Sequence, residues 1–426
     1  MMKIPDGAEW DCFAGLEPPQ VALERFLADV PFARRYPRRY DAPAVEVPTM
    51  LPAPREPRMS TQEGFGRILN EIARGDSPLA ARVVTASPDV TVSTNLGAWV
   101  NRRGVFMRER QEDVFREEQV VSAQRWVQSP EGQHVELGIA EHNLFILLAA
   151  LGLAGPLFGV RLLPIGTLYD TFIKRGLDAL NYALYQDARF MLVATPSGIT
   201  LAPEGGAHQS IVTPLIGLGL PNLEVYEPAY VDGLAEIMRW GFGHMQEPDG
   251  GSLYLRLSTR ALAQPERSLE QALSQAIIAG GYWMVPPAQG AELGIVYSGA
   301  VAPEAGEAYR QILEDVPGTG LLAVTSVSRL HADWRTRREA SHIARLLEPL
   351  APDAALGSVA DAHPATLAWL GSVGRHRAYP LGVDHFGQSG DIPDLYRVYG
   401  LDADAIIEAA AAACLARVTG GSAAAT

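Results

Sequence analysis

The densest polar cluster beside a long apolar stretch is Glu136-Leu137-Gly138-Ile139-Ala140-Glu141-His142-Asn143, which runs directly into residues 144–160. A carboxylate entering an apolar helix has two readings: it caps the N-terminus against the helix dipole, or it is a functional acid whose pKa burial raises. A second cluster, Ala202-Pro203-Glu204-Gly205-Gly206-Ala207-His208-Gln209-Ser210, is a glycine-rich loop that presents a histidine. Loops leaving the carboxyl ends of parallel strands are where ligands bind, although a lone loop histidine can equally be structural or exposed. Arg256 and Arg260, at and beyond the end of the apolar run Leu253-Tyr254-Leu255, could receive an anionic substrate, or could be solvated or paired.

These residues need a scaffold, and the chain supplies alternating helical and strand-like texture from Ser60 onward. A helical segment over 63–73 precedes Val83-Val84-Thr85-Ala86, and further apolar runs follow at Phe190-Met191-Leu192-Val193-Ala194-Thr195 and Leu253-Tyr254-Leu255-Arg256-Leu257. Such alternation predicts βα units around a parallel sheet, so the fold class is α/β, with a first domain over 60–265. Residues 266–290 read as a linker, helical at first and then marked by Pro286, Pro287 and Gly290. A second, smaller α/β domain follows over 291–426, with strands at Leu293-Gly294-Ile295-Val296-Tyr297 and Gly320-Leu321-Leu322-Ala323-Val324 and a helix over 302–314; a helix and frayed tail end the chain from Ala409. Residues 1–59 form an extended arm: ten of the 31 prolines lie in the first 57 residues. Within it Arg34, Arg35, Arg38 and Arg39 alternate with Tyr36 and Tyr40, as a patch for a partner or as a solvated arm.

Composition excludes several classes. With 47% apolar and 20% charged residues in 426, the chain has ordinary globular usage. A net charge of −14 repels phosphate backbones, so no nucleic-acid partner is expected. Cys12 and Cys414 form neither a disulfide framework nor a metal-ligand spacing, which points to a reducing, cytoplasmic setting. The first residues hold no apolar core of secretory type, so export is not expected. The longest run without polar side chains, 144–160, has 17 residues and is broken by Gly152, Gly155, Pro156 and Gly159. A spanning helix needs ~20 apolar residues, so this run is expected to be a buried helix and its following turn, with no membrane partner.

Three ordered strings carry a family resemblance: Gly132-Gln133-His134 through Glu141-His142-Asn143, Pro164-Ile165-Gly166-Thr167 through Phe172, and Glu204-Gly205-Gly206-Ala207-His208-Gln209. Their order and spacing resemble transketolase-like thiamine diphosphate enzymes. Ser93-Thr94-Asn95-Leu96-Gly97, Ala194-Thr195-Pro196-Ser197-Gly198 and Gly382-Val383-Asp384-His385-Phe386-Gly387-Gln388-Ser389 look most like the first component of homodimeric-type pyruvate dehydrogenase. The resemblance covers about residues 60–415 and implies two doubly wound α/β domains, one pyrimidine-binding and one of the transketolase C-terminal type.

It also implies roles. Glu141 matches the glutamate that hydrogen-bonds the cofactor's aminopyrimidine; a buried carboxyl sharing a proton with a ring nitrogen favours the imino tautomer, which can take the thiazolium proton. Tyr169 and Phe172 match aromatic residues that line and stack on that ring, and Asp89 and Val90 match a turn on the cofactor side. His208 matches a histidine that contacts the substrate carbonyl oxygen or its alkoxide. Glu204 lies in the same loop, and Arg260 remains a candidate for an anionic substrate. Pro196 stands where transketolases have a substrate-contacting histidine. Asp384, His385 and Ser389 lie in a signature read as structural. The family holds the diphosphate and Mg²⁺ on a separate domain through Gly-Asp-Gly and a downstream Asn; the nearest string in this sequence is Asp249-Gly250-Gly251, late in the first domain. A partner subunit carrying that motif is therefore expected, in an α₂β₂ assembly, acting on a 2-oxo acid such as pyruvate with a lipoyl domain as one acceptor. A split transketolase and a non-catalytic scaffold are the alternatives.

Overall fold

The computed structural model describes residues 6–11, 14, 19–30, 40–112 and 125–422. Cys12, Tyr36 and the arginines at 34, 35, 38 and 39 lie outside the described residues. The chain divides into two compact units, residues 1–43 with 155–160, and residues 44–154 with 161–426. In the smaller unit helix α1 (Gln20–Asp29) exposes Val21, Phe26 and Leu27. There the Tyr40 amide donates to the Pro156 carbonyl at 2.9 Å.

The larger unit contains two sheets. The first is built from β1 (Val83–Ser87), β2 (Val105–Phe106), β3 (Gln128–Ser129), β4 (His134–Glu136), β5 (Leu163–Leu168), β6 (Met191–Ala194), β7 (Leu223–Tyr226) and β8 (Ser252–Arg256), in spatial order β3-β2-β4-β1-β5-β6-β8-β7. Every pairing in it is parallel. β5 and β6 are buried at every position, the condition of strands covered on both faces, which is why they read as unbroken apolar runs. Helix α2 (Thr61–Arg74) starts where the Ser60 hydroxyl accepts the Glu63 amide at 3.1 Å, and buries Phe65, Ile68, Leu69 and Ile72 at helical spacing. Arg58–Met59 pairs antiparallel with Leu262–Ala263, joining the two ends of this layer.

The second sheet comprises β9 (Gly281–Val285), β10 (Ala291–Ser298), β11 (Gly320–Val324), β12 (Leu350–Ala360) and β13 (Arg377–Leu381), ordered β9-β11-β10-β12-β13. All its pairings are parallel except β9 with β11. The segment 266–290, expected as a linker, thus carries a helix (Gln271–Ala279) and an edge strand of the second sheet. Both layers are α/β, as the alternating texture requires.

Helix α3 (Glu141–Gly152) buries Leu144, Phe145 and Leu148 but leaves Ile146 half exposed, and Leu157, Phe158 and Val160 beyond it are exposed too. The expectation of a buried helix and turn over 144–160 therefore holds for one face of the helix only. Among the described residues no helix is long and apolar enough to cross a membrane.

Candidate active site

The parallel register of β4, β1, β5 and β6 brings their carboxyl ends to one edge of the sheet, and each ends just before a group singled out in the sequence. β1 leads into the Asp89–Asn95 turn, and β4 leads through Gly138, at φ +64°, to Glu141 as the first residue of α3. β5 leads to Tyr169 and a 3₁₀ segment (Asp170–Gly176), and β6 leads to the loop holding His208.

The N-cap of α3 is Ala140, which offers no side-chain cap, and Glu141 follows as the first helical residue. Its Oε1 accepts from Arg175 Nη1 at 2.5 Å; the Glu141 side chain is 9% exposed and that of Arg175 is 50% exposed. The guanidinium carbon of Arg175 lies 3.8 Å from the centroid of the Phe172 ring. The Tyr169 and Phe172 rings are nearly parallel, 10° apart with centroids separated by 6.0 Å. His208 meets both edge-on, its ring centroid 5.5 Å from Phe172 and 6.5 Å from Tyr169. Its Nδ1 is buried and finds no hydrogen-bond partner among the described residues. The result is a carboxylate at a helix start, an aromatic pair and a histidine, placed after β4, β5 and β6 at one edge of the sheet.

Asp170, between the two aromatic residues, is fully buried and fixes this arrangement. It accepts hydrogen bonds from the hydroxyls of Tyr254 and Ser210, from Thr213 at 2.7 Å and from Arg256 Nε at 2.9 Å. Ser210 lies two residues after His208, so one carboxylate ties the aromatic segment to the histidine loop and to β8. Arg256 also donates to Glu227 at 2.5 Å and to the Asp361 carbonyl at 2.8 Å. Burial pushes the Glu227 carboxyl up to about 7 against the pull of Arg256, and burial likewise raises Asp361. With its guanidinium fully enclosed, Arg256 is a structural cation here rather than a receptor for substrate.

The Asp89–Val90 turn is held from β4. The Asp89 amide, on a residue with φ +65°, donates to Glu136 Oε1 at 2.7 Å, and the Thr91 hydroxyl donates to Glu136 Oε2 at 2.6 Å. With the Thr91 proton directed at Glu136, His134 Nε2 donates to Thr91 Oγ1 at 2.9 Å and Nδ1 accepts from Thr85 at 2.8 Å. Burial acts to raise the Glu136 carboxyl, but donors from His134, Thr91 and the Asp89 amide outweigh it and hold its pKa below the usual value. Val90 accepts at its carbonyl from the Thr94 hydroxyl at 2.7 Å, and with that proton committed Thr94 Oγ1 accepts from the Thr167 hydroxyl in β5 at 3.0 Å, linking this turn to the strand before Tyr169.

Two expected substrate residues are placed differently. Glu204 is exposed at the start of the histidine loop. Arg260 is committed to Glu304 through two hydrogen bonds of 2.8 and 2.6 Å, donates to the Ala300 carbonyl at 2.9 Å, and is not gathered with the aromatic pair. Of the C-terminal signature, Gln388 accepts at its carbonyl from Gln209 Nε2 at 3.0 Å, and a Cβ on Gly206 would stand 2.0 Å from the Gly387 carbonyl oxygen. That segment therefore buttresses the histidine loop. Sequence reasoning did not single out Arg175 or Asp170; the available signals were the i, i+3 spacing of Phe172 and Arg175, and a charged residue set between the two chosen aromatics.

Residues 58–264 match the family described as transketolase, pyrimidine binding domain. The chain is 24% identical over 288 residues to a chloroplastic transketolase of Craterostigma plantagineum, covering 66% of this chain and 50% of that one. It is 25% identical over 360 residues to the pyruvate dehydrogenase E1 component of Mycolicibacterium smegmatis, covering 80% of this chain and 38% of that one. It thus spans half or less of the length of these relatives. Among solved structures, one described as a split gene transketolase, inactive beta4 tetramer, superposes with a TM-score of 0.57 at 18% identity, covering 84% of this chain and 99% of that one. Residues 58–264 thus correspond to a transketolase-type pyrimidine-binding domain, and the chain is similar over most of its length to transketolases and pyruvate dehydrogenase E1 components, with a likeness in fold that reaches into the second sheet.

Proposed function

We propose that this chain is the pyrimidine-binding subunit of a two-component thiamine diphosphate enzyme that decarboxylates a 2-oxo acid such as pyruvate and transfers the two-carbon unit to an acceptor. The observation that carries the reading is the grouping of Glu141 with Tyr169, Phe172 and His208. A largely enclosed carboxylate beside stacked aromatic rings suits a flat aminopyrimidine bearing N–H donors, and the unpartnered Nδ1 of His208 is a polar atom suited to a ligand. Bound there, the cofactor would supply the electron sink for carbanion chemistry. Glu141 would hold a proton at the ring nitrogen, Tyr169 and Phe172 would fix the ring plane, and Asp89 and Val90 would shape the cofactor-side turn. His208 would donate toward negative charge developing on the substrate oxygen, with Glu204 at the rim of its loop.

The diphosphate and Mg²⁺ would be held by a second subunit carrying Gly-Asp-Gly and a downstream Asn, in an α₂β₂ assembly. Support comes from the likeness in fold to a split-gene transketolase chain, of which the match covers 99%. That same likeness favours the second reading, a split transketolase acting on a sugar phosphate; Pro196, at a position where transketolases place a substrate histidine, weighs against it. A lipoyl domain is the acceptor that the dehydrogenase likeness suggests.

The test is purification of the chain from its source cells with mass spectrometry of stoichiometric partners, followed by assays of the complex. A Gly-Asp-Gly subunit and pyruvate-dependent release of CO₂ are expected. Ketol transfer from a sugar phosphate without that release would select the transketolase reading, and recovery of the chain alone without cofactor would favour a non-catalytic role.

A further inference from the structure

Tyr169, Phe172 and Arg175 lie three residues apart along the 3₁₀ segment and its N-terminal flank, and in 3₁₀ geometry side chains at that spacing eclipse. Arg175 therefore falls over Phe172, with its guanidinium carbon 3.8 Å from the ring centroid, while Nη1 donates to Glu141 Oε1 at 2.5 Å. These are the same two partners that the proposed function gives to the aminopyrimidine. A guanidinium and an aminopyrimidine are both flat, delocalised and edged with N–H donors, and one ring face and one largely enclosed carboxylate cannot serve both in the same place. With half its side chain exposed, Arg175 has a route out to solvent, whereas Glu141, at 9%, has little freedom to turn elsewhere.

We propose that Arg175 is a competitor built into the chain, excluding the aminopyrimidine from Glu141 and Phe172 until its side chain swings outward. The proposal rests on the pyrimidine reading of Glu141. It assigns Arg175 a function opposite to that of a cofactor-binding residue: removing its guanidinium strengthens docking of the ring.

The experiment uses the full chain and, as probe, the hydroxymethyl aminopyrimidine that forms half of thiamine, which does not require the diphosphate-binding subunit. Binding is measured by calorimetry for the wild type, Arg175→Met and Glu141→Ala. Methionine keeps the apolar stem that packs on Phe172 while removing the charge. Arg175→Met is expected to bind about tenfold tighter than the wild type, the combined weight of an ion pair and a cation–π contact. In the wild type, proton NMR should show the side-chain methylenes of Arg175 shifted upfield by the Phe172 ring, with the shift lost as probe is added; this readout needs no variant. Equal or weaker binding by Arg175→Met, while Glu141→Ala abolishes binding, would overturn the competitor role and leave the pyrimidine site standing. Binding that ignores Glu141→Ala, or no binding by any of the three, would bring down the pyrimidine reading and this proposal together.

Discussion

At the scale of single residues, Glu141 and His208 divide the proposed chemistry, and their substitutions should fail in different ways. Glu141→Gln keeps the size of the side chain and its hydrogen-bonding edge but removes a carboxyl able to share a proton. In the reconstituted enzyme it should lower kcat by about 10²–10⁴-fold with an unchanged circular dichroism spectrum; near-normal turnover would end the acid–base assignment. His208→Ala removes a donor aimed at developing charge, so kcat/KM should fall by about 10²-fold while cofactor affinity stays close to wild type. Equal losses in both quantities would make His208 a cofactor ligand instead. Both residues stand out because each interrupts its surroundings, a carboxylate ahead of an apolar run and a histidine among glycines, but that pattern fits a helix cap and a structural histidine equally, and the proposed roles come from the family resemblance. Arg175 and Asp170 do not stand out, because what defines them is distant in sequence: Arg175 meets a glutamate 34 residues away and Asp170 an arginine 86 residues away.

At the scale of elements, the 3₁₀ segment holding the aromatic pair is anchored by Asp170, and the histidine loop is pressed against residues 387–389. Replacing Asp170 with Asn removes one partner of a buried ion pair and leaves Arg256 undercompensated. Urea denaturation should report a loss of about 3 kcal/mol, against about 1 kcal/mol for Tyr254→Phe, which deletes only one neutral donor to the same carboxylate. Similar small losses for both would mean that Arg256 is satisfied by Glu227 alone. Gly206→Ala would bring a Cβ to 2.0 Å from the Gly387 carbonyl oxygen, so the loop must part from its buttress. A drop of roughly 1–3 kcal/mol is expected, and an unchanged melting curve would show that the loop has slack. The central strands were readable because burial on both faces writes them as apolar runs. The two-residue strands at Val105–Phe106 and Gln128–Ser129 carry no period, and the edge strand Gly281–Val285 was masked by the adjoining prolines that read as punctuation.

At the scale of the whole molecule, the two sheets of the larger unit meet around one enclosed guanidinium. Arg256 at the end of β8 faces Asp170 and Glu227 from the first layer, and it bonds to the Asp361 carbonyl just after β12. Asp361 in turn accepts the Ile199 amide at 2.9 and 3.0 Å, and the Tyr396 hydroxyl at 3.2 Å. The sequence hinted at this junction only through an arginine inside an apolar strand, since no local pattern announces which carboxylates will converge on it. Burial is the main force on Glu227, and with repulsion from the neighbouring carboxylates it outweighs the pull of Arg256, so the Glu227 carboxyl is pushed up to about 7 from a usual value of 4.5. Because the folded pKa exceeds the unfolded one, the folded state binds the proton more tightly. The stability this contributes is complete below about pH 4.5 and is lost as pH rises through about 7. Asp361, also raised, acts in the same direction. Glutamine mimics the protonated carboxyl, so Glu227→Gln should match the wild type at acidic pH and exceed its stability above neutrality. The gap should be on the order of 2–3 kcal/mol in denaturant titrations across that range. Parallel profiles for the two proteins would show that Glu227 is ionised throughout, and that Arg256 balances its neighbours by another route.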